Sequence, residues 1–110
     1  MAYRERTARV LDALGDPTRR AVLEVLRAGP KPVGRIAEVL PVSRPAVSQH
    51  LRVLKDAGLV RLRRVGTRRL YGLETEGLEV LRAYLETFWD TALAAFKEAA
   101  EDPVEKGGTR

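Results

Sequence analysis

Apolar residues recur every three or four positions through most of this chain, and the pattern breaks where glycine and proline cluster. Tyr3, Thr7, Val10, Leu11 and Leu14 fall on one side of a predicted first helix, with Arg4, Glu5, Arg9 and Asp12 elsewhere. Gly15 ends it. Asp16 followed by Pro17 supplies an N-cap and a first-turn proline for a second helix to about residue 27, with Val22, Val25 and Leu26 inward. Residues 29–32, Gly-Pro-Lys-Pro, admit no helix. A short third helix over 33–40 aligns Val33, Ile36, Ala37 and Leu40. The fourth covers 43–57: Ser43 caps it, Pro45 sits in its first turn, and Gly58 ends it.

The period then changes from helical to alternating. Val60 and Leu62 point one way and Arg61 and Arg63 the other, as in a half-buried strand. Gly66 permits a tight turn into a second strand, where Tyr71 and Leu73 share the buried side. Thr75 is the expected cap of a last helix, with Glu76 and Glu79 in its first turn. That helix runs to about residue 100 and carries Leu78, Leu81, Leu85, Phe88, Ala92, Ala95 and Ala99 along one stripe, broadened by Tyr84, Trp89, Leu93 and Phe96. The stripe is wider than a small core needs. An exposed apolar face of that width points to a dimer contact shared with the first helix, the alternative being a helix that only covers the core. Tyr3, Val10, Leu81, Leu85, Phe88, Trp89, Ala92 and Phe96 are the expected interface residues.

The fold class that follows is mainly α with a small β-hairpin, a dimeric winged helix-turn-helix. One domain is expected over residues 3–100, with a flexible tail over 101–110. The 110 residues contain no cysteine and one histidine, which removes disulfides, thiol chemistry and thiolate or multi-imidazole metal sites. No phosphate-cradling glycine loop and no Ser/His/Asp set at usable spacing is present, so neither an enzyme nor a cofactor is expected. No apolar run is long enough to cross a bilayer and the N-terminus has no signal-like core, so the expected location is the cytoplasm, without a membrane partner.

Charge narrows the partner. The net formal charge is +5, but residues 43–72 alone carry +7, with Asp56 their single acid, while residues 73–110 carry −5. Such an excess in thirty residues favours a polyanion over an ordinary solvated surface. With Val47, Leu51 and Leu54 inward, a rotation of about 100° per residue turns Ser48, Gln49 and Arg52 outward. Gln and Arg can each make two hydrogen bonds to one base in a major groove. Ser43, Arg44 and Lys55 are placed to hold phosphates, and Arg64, Arg68 and Arg69 to anchor a wing along the backbone or in the minor groove. His50 has two readings, a DNA contact or a hydrogen bond between helices. Double-stranded DNA is the expected partner of the 43–57 helix and the 61–71 wing. A basic face docking on an acidic protein is the alternative.

The chain also resembles the ArsR/SmtB family of bacterial winged-helix repressors. The match lies in Ala13-Leu14-Gly15-Asp16-Pro17-Thr18-Arg19-Arg20, in Val47-Ser48-Gln49-His50-Leu51-Arg52-Val53-Leu54-Lys55-Asp56-Ala57-Gly58-Leu59-Val60, and in Gly66-Thr67-Arg68-Arg69-Leu70-Tyr71. It covers roughly residues 5–98. The resemblance implies a homodimer that binds a palindromic operator and represses transcription, commonly of its own operon. Metal-sensing members place paired cysteines in the third helix, where this chain has Arg35-Ile36-Ala37-Glu38-Val39-Leu40, or Asp and His ligands in the last, which here lacks histidine. Glu86, Asp90 and Glu98 are read as a solvated face, and no regulatory metal is expected. The likeness is to a metal-free branch, whose effector the sequence leaves unknown.

Overall fold

A computed structural model describes residues 2–101. It contains α1 (Tyr3–Leu14), α2 (Pro17–Val25) continued by a 3₁₀ turn (Leu26–Ala28), α3 (Val33–Val39), α4 (Arg44–Asp56), β1 (Val60–Val65), β2 (Arg68–Leu73) and α5 (Thr75–Ala100). Residues 102–110, most of the expected tail, lie outside the described residues.

Local chemistry sets the element ends. The Asp16 carboxylate accepts the Arg19 N–H at 2.9 Å, and the Ser43 hydroxyl accepts the Ala46 N–H at 3.3 Å, each relieving an orphan donor of the first turn. At the other end of α1, Arg19 donates to the carbonyls of Ala13 (2.7 Å) and Asp12 (3.1 Å), and Arg20 to Leu14 (2.8 Å). These cations cover the negative end of the helix, a second task of the Asp-Pro-Thr-Arg-Arg segment. The expected Thr75 cap is corrected. Glu74 occupies that position, its carboxylate accepting the N–H groups of Thr75 at 2.9 Å and Glu76 at 3.3 Å.

Every element from α1 to β1 contributes to one core, through Val10, Val22, Leu26, Ile36, Val47, Leu51, Leu54, Leu59 and Val60, and α5 adds Val80 at its edge. Full burial of such aliphatic side chains contributes roughly 1.5–3 kcal/mol each. In α1 the buried face is Thr7, Val10 and Ala13, whereas Leu11 is 38% exposed. The stripe is therefore rotated from the expected one. Small Ala13 packs where the larger side chain was anticipated.

The hairpin pairs Val60 with Leu73, Leu62 with Tyr71, Arg64 with Arg69 and Val65 with Arg68. The two-residue loop is Gly66-Thr67, and Gly66 takes φ +65°, which a side chain would disfavour. An unanticipated bridge adds to the other edge of β2: Lys31 and Tyr71 exchange two backbone hydrogen bonds of 2.9 Å. The loop before α3 is thereby fastened to the wing.

α5 has 26 residues, about 39 Å of helix at 1.5 Å per residue. Only Gly77 and Val80 are buried, both near its start. Leu78 and Leu81 pack half-buried against the core, the helix beyond Tyr84 projects, and the molecule measures 68 × 31 × 20 Å. No helix among the described residues is long and apolar enough to cross a membrane.

Candidate nucleic-acid interface

α4 is held from behind by Val47, Leu51 and Leu54, all at 0% exposure. The opposite side carries Ser48, Gln49, Arg52 and Lys55, all exposed, and Ser43 and Arg44 are exposed at its N-terminal end. Arg44 reaches back across α3, where a side chain at Gly34 would meet its guanidinium at 2.7 Å.

A groove of about 590 Å³ separates α4 from the wing. Ser48, Arg52 and Lys55 line one wall and Thr67, Arg69 and Tyr71 the other, with Pro32 and Val33 also bordering it. Thus Arg69 joins the reading helix across a space open to a ligand. Arg64 is directly opposite Arg69 in the strand register. Like charges placed this way destabilise an isolated sheet, and a phosphate near both would relieve the repulsion. Arg68 occupies the other face of β2 and lines a separate groove with Lys31 and Arg35. Two predicted wing residues consequently serve different surfaces.

Ion pairs do not neutralise this side of the molecule. Among the described residues the pairs are Arg6–Glu76, Arg35–Glu38, and Arg82 with Glu79 and Glu86. None uses Arg44, Arg52, Lys55, Arg64, Arg68 or Arg69. Their fields therefore add, which favours a polyanion and steers its approach.

His50 is half-buried and does not line the groove. It lies close enough to the α2 cap for its charge to act on Asp16. The Asp16 carboxyl is held below its ordinary pKa, chiefly by the hydrogen bond from the Arg19 backbone; desolvation opposes this and the charges of Arg19 and His50 assist it.

A second exposed surface runs along α5. Leu81, Leu85, Phe88, Trp89 and Ala92 border an apolar groove of about 680 Å³, with Arg82 and Glu86 on its rim. Leu85, Phe88, Trp89 and Phe96 are 53%, 58%, 64% and 72% exposed, and Tyr3 of α1 is 53% exposed. Val10 is corrected here. At 1% exposure it is used in the chain's own core and has almost no surface for a second chain.

Comparison with known proteins agrees with this geometry. A family described as a helix-turn-helix domain matches residues 14–63, the span from the end of α1 into β1. The HTH-type transcriptional regulator Rv2034 of Mycobacterium tuberculosis is 54% identical over 90 residues, covering 82% of this chain and 84% of that protein. The crystal structure of an ArsR family transcriptional regulator superposes with a TM-score of 0.72 at 32% identity, over 82% of this chain and 93% of that one. This chain belongs to the ArsR family of transcriptional regulators. It is a DNA-binding winged helix-turn-helix protein and not an enzyme. The regulator also resembles the solution structure of a homodimeric winged helix-turn-helix DNA-binding domain from Mycobacterium bovis. There the TM-score is 0.62 at 30% identity, with 93% of this chain and 84% of that one covered. Further relatives are named as repressors.

Proposed function

We propose that the regulator is a homodimeric repressor that occupies a palindromic operator and blocks transcription of its own or a neighbouring operon. Two chains pair through the apolar faces of α1 and α5, using Tyr3, Leu81, Leu85, Phe88, Trp89, Ala92 and Phe96. Residues 3–100 form one domain for DNA binding and dimerisation, acting in the cytoplasm. Pairing sets the two α4 helices about one turn of duplex apart, ~34 Å, so that each enters the major groove of one half-site. Ser48, Gln49 and Arg52 read base edges. Ser43, Arg44 and Lys55 hold phosphates, and Arg64, Arg68 and Arg69 anchor the wing, with His50 in a supporting place beside the reading row. A bound dimer excludes polymerase by occupying the same duplex.

The observation that carries this reading is the groove in which Ser48, Arg52 and Lys55 face Arg69 with no carboxylate among its lining residues. The homodimeric neighbour and the uncovered half of α5 support the pairing. Fluorescence anisotropy tests it, with duplex from upstream of the regulator's own coding sequence beside a scrambled duplex at several salt concentrations. Tight, saturable binding to the upstream duplex alone is expected, weakening steeply with salt. Equal affinity for both would remove the sequence-specific part. Binding to neither would favour an acidic protein partner.

A further inference from the structure

A second cationic groove adjoins the first. It has a volume of about 700 Å³ and is lined by Lys31, Arg35 and Arg68, with Glu38 the one carboxylate among its lining residues. Pro32 borders both grooves, so they meet at that residue. The backbone explains the convergence. Lys31 and Tyr71 are bridged antiparallel, so the chain leaving Lys31 towards α3 runs beside β2 in the direction of the wing tip. Arg68 is the first residue of β2, next to that tip, and lies on the face opposite Arg69. Arg35, in the first turn of α3, meets it there.

The charge of this cluster is poorly balanced. Arg35 and Glu38 are 4.0 Å apart with side chains 71% and 67% exposed, a weak pair in water. Lys31 and Arg68 have no ion-pair partner among the described residues. We infer that this groove is a second phosphate-binding site, which takes duplex backbone beyond the stretch held by α4 and Arg69. The inference rests on the DNA-binding reading given above. A duplex is favoured as occupant because one rigid polyanion reaches both grooves across Pro32. Contacts to phosphate carry no sequence information, so the site adds affinity and register without changing the preferred operator.

The test is the salt dependence of duplex binding by the full chain, comparing Lys31→Ala, Arg35→Ala, the double variant and wild type. The probes are the upstream duplex and a scrambled duplex of equal length. Each lost cation is expected to lower the slope of log affinity against log salt by about one, equally on both probes. Glu38→Gln, which releases Arg35, is expected to tighten binding at low salt. Phosphate ethylation of the upstream duplex should interfere with wild type at a position where it no longer affects the double variant. An unchanged slope in the double variant, with wild-type binding intact, overturns the second site and leaves the α4 assignment standing. So does a changed base preference, which would put these side chains on bases. Wild type binding neither duplex overturns both readings.

Discussion

The backbone N–H of Gly77 donates to the carbonyl of Gly58 at 2.7 Å, joining the first turn of α5 to the second residue beyond the reading helix. Gly58 has φ +78°, and a side chain at Gly77 would stand 2.7 Å from the Ala57 carbonyl oxygen and 2.8 Å from the Gly58 carbonyl. Two backbones meet here with no side chain between them. The Arg6–Glu76 pair, 3.4 Å, ties α1 to the same joint. The orientation of α4 relative to α5 is set at this point.

Gly77→Ala is therefore expected to destabilise the fold by roughly 1–3 kcal/mol, as overpacking does. In an ordinary helix interior the same change would stabilise by ~1 kcal/mol, so the sign is diagnostic. Urea denaturation gives the answer, as a lower midpoint at unchanged slope.

Base reading and backbone anchoring should separate by mutation. Gln49→Ala or Arg52→Ala is expected to cost roughly 1–3 kcal/mol and to relax preference at one base position. Binding to a set of single-substitution duplexes measures this. Loss of discrimination at no position would remove those residues from the reading row.

Arg69→Thr should act with opposite signs on the free and bound protein. Removing the like charge opposite Arg64 is expected to stabilise the hairpin by about 0.2–1 kcal/mol. The same change should weaken all duplexes alike and lower the salt slope by about one. Thermal unfolding and anisotropy on the same preparation provide both signs.

Phe88→Glu or Leu85→Asp should yield monomers with weak operator binding, since either charge falls in the apolar groove of α5. Light scattering after gel filtration gives the mass. Trp89, the single tryptophan, supplies an independent signal, with emission shifted to the red in the variants. A dimer of unchanged mass would disprove the interface.

Asp16 predicts a pH dependence. Its folded pKa is lowered below the ordinary value of about 3.9. Its contribution is thus complete above that value and declines as pH falls through the lower folded pKa. Asp16→Asn keeps a capping oxygen but no charge. The stability difference between wild type and this variant should narrow as denaturation is repeated from pH 7 towards pH 3.

Much of the fold was legible because its boundaries are chemical. Asp16-Pro17, Ser43 with Pro45, and Gly66 announce themselves by what their side chains can or cannot do. Less legible were features that depend on depth or distance. Leu11 and Ala13 are two positions apart on one helix, and only the packing of the finished fold decides that the smaller one is covered. Glu74 and Thr75 are both able to cap, and the reach of a carboxylate to two N–H groups selects Glu74. The Gly58–Gly77 joint and the Lys31–Tyr71 bridge unite residues far apart in sequence, so periodicity gave no sign of them. Arg35 and Lys31 escaped the candidate site for the same reason. Their proximity to Arg68 exists only once the loop before α3 is fastened to β2.

The projecting half of α5 ties the order of this molecule to its abundance. Beyond Tyr84 every residue of the helix is exposed, and fixing each backbone costs roughly 1–2 kcal/mol of entropy with little intrachain packing to offset it. A second chain supplies that packing, so by mass action helix content should rise as protein concentration rises. In a dilute solution the last turns would melt first, from Ala100 inward. The fraction of chains able to hold two half-sites at once would then follow how many chains are present.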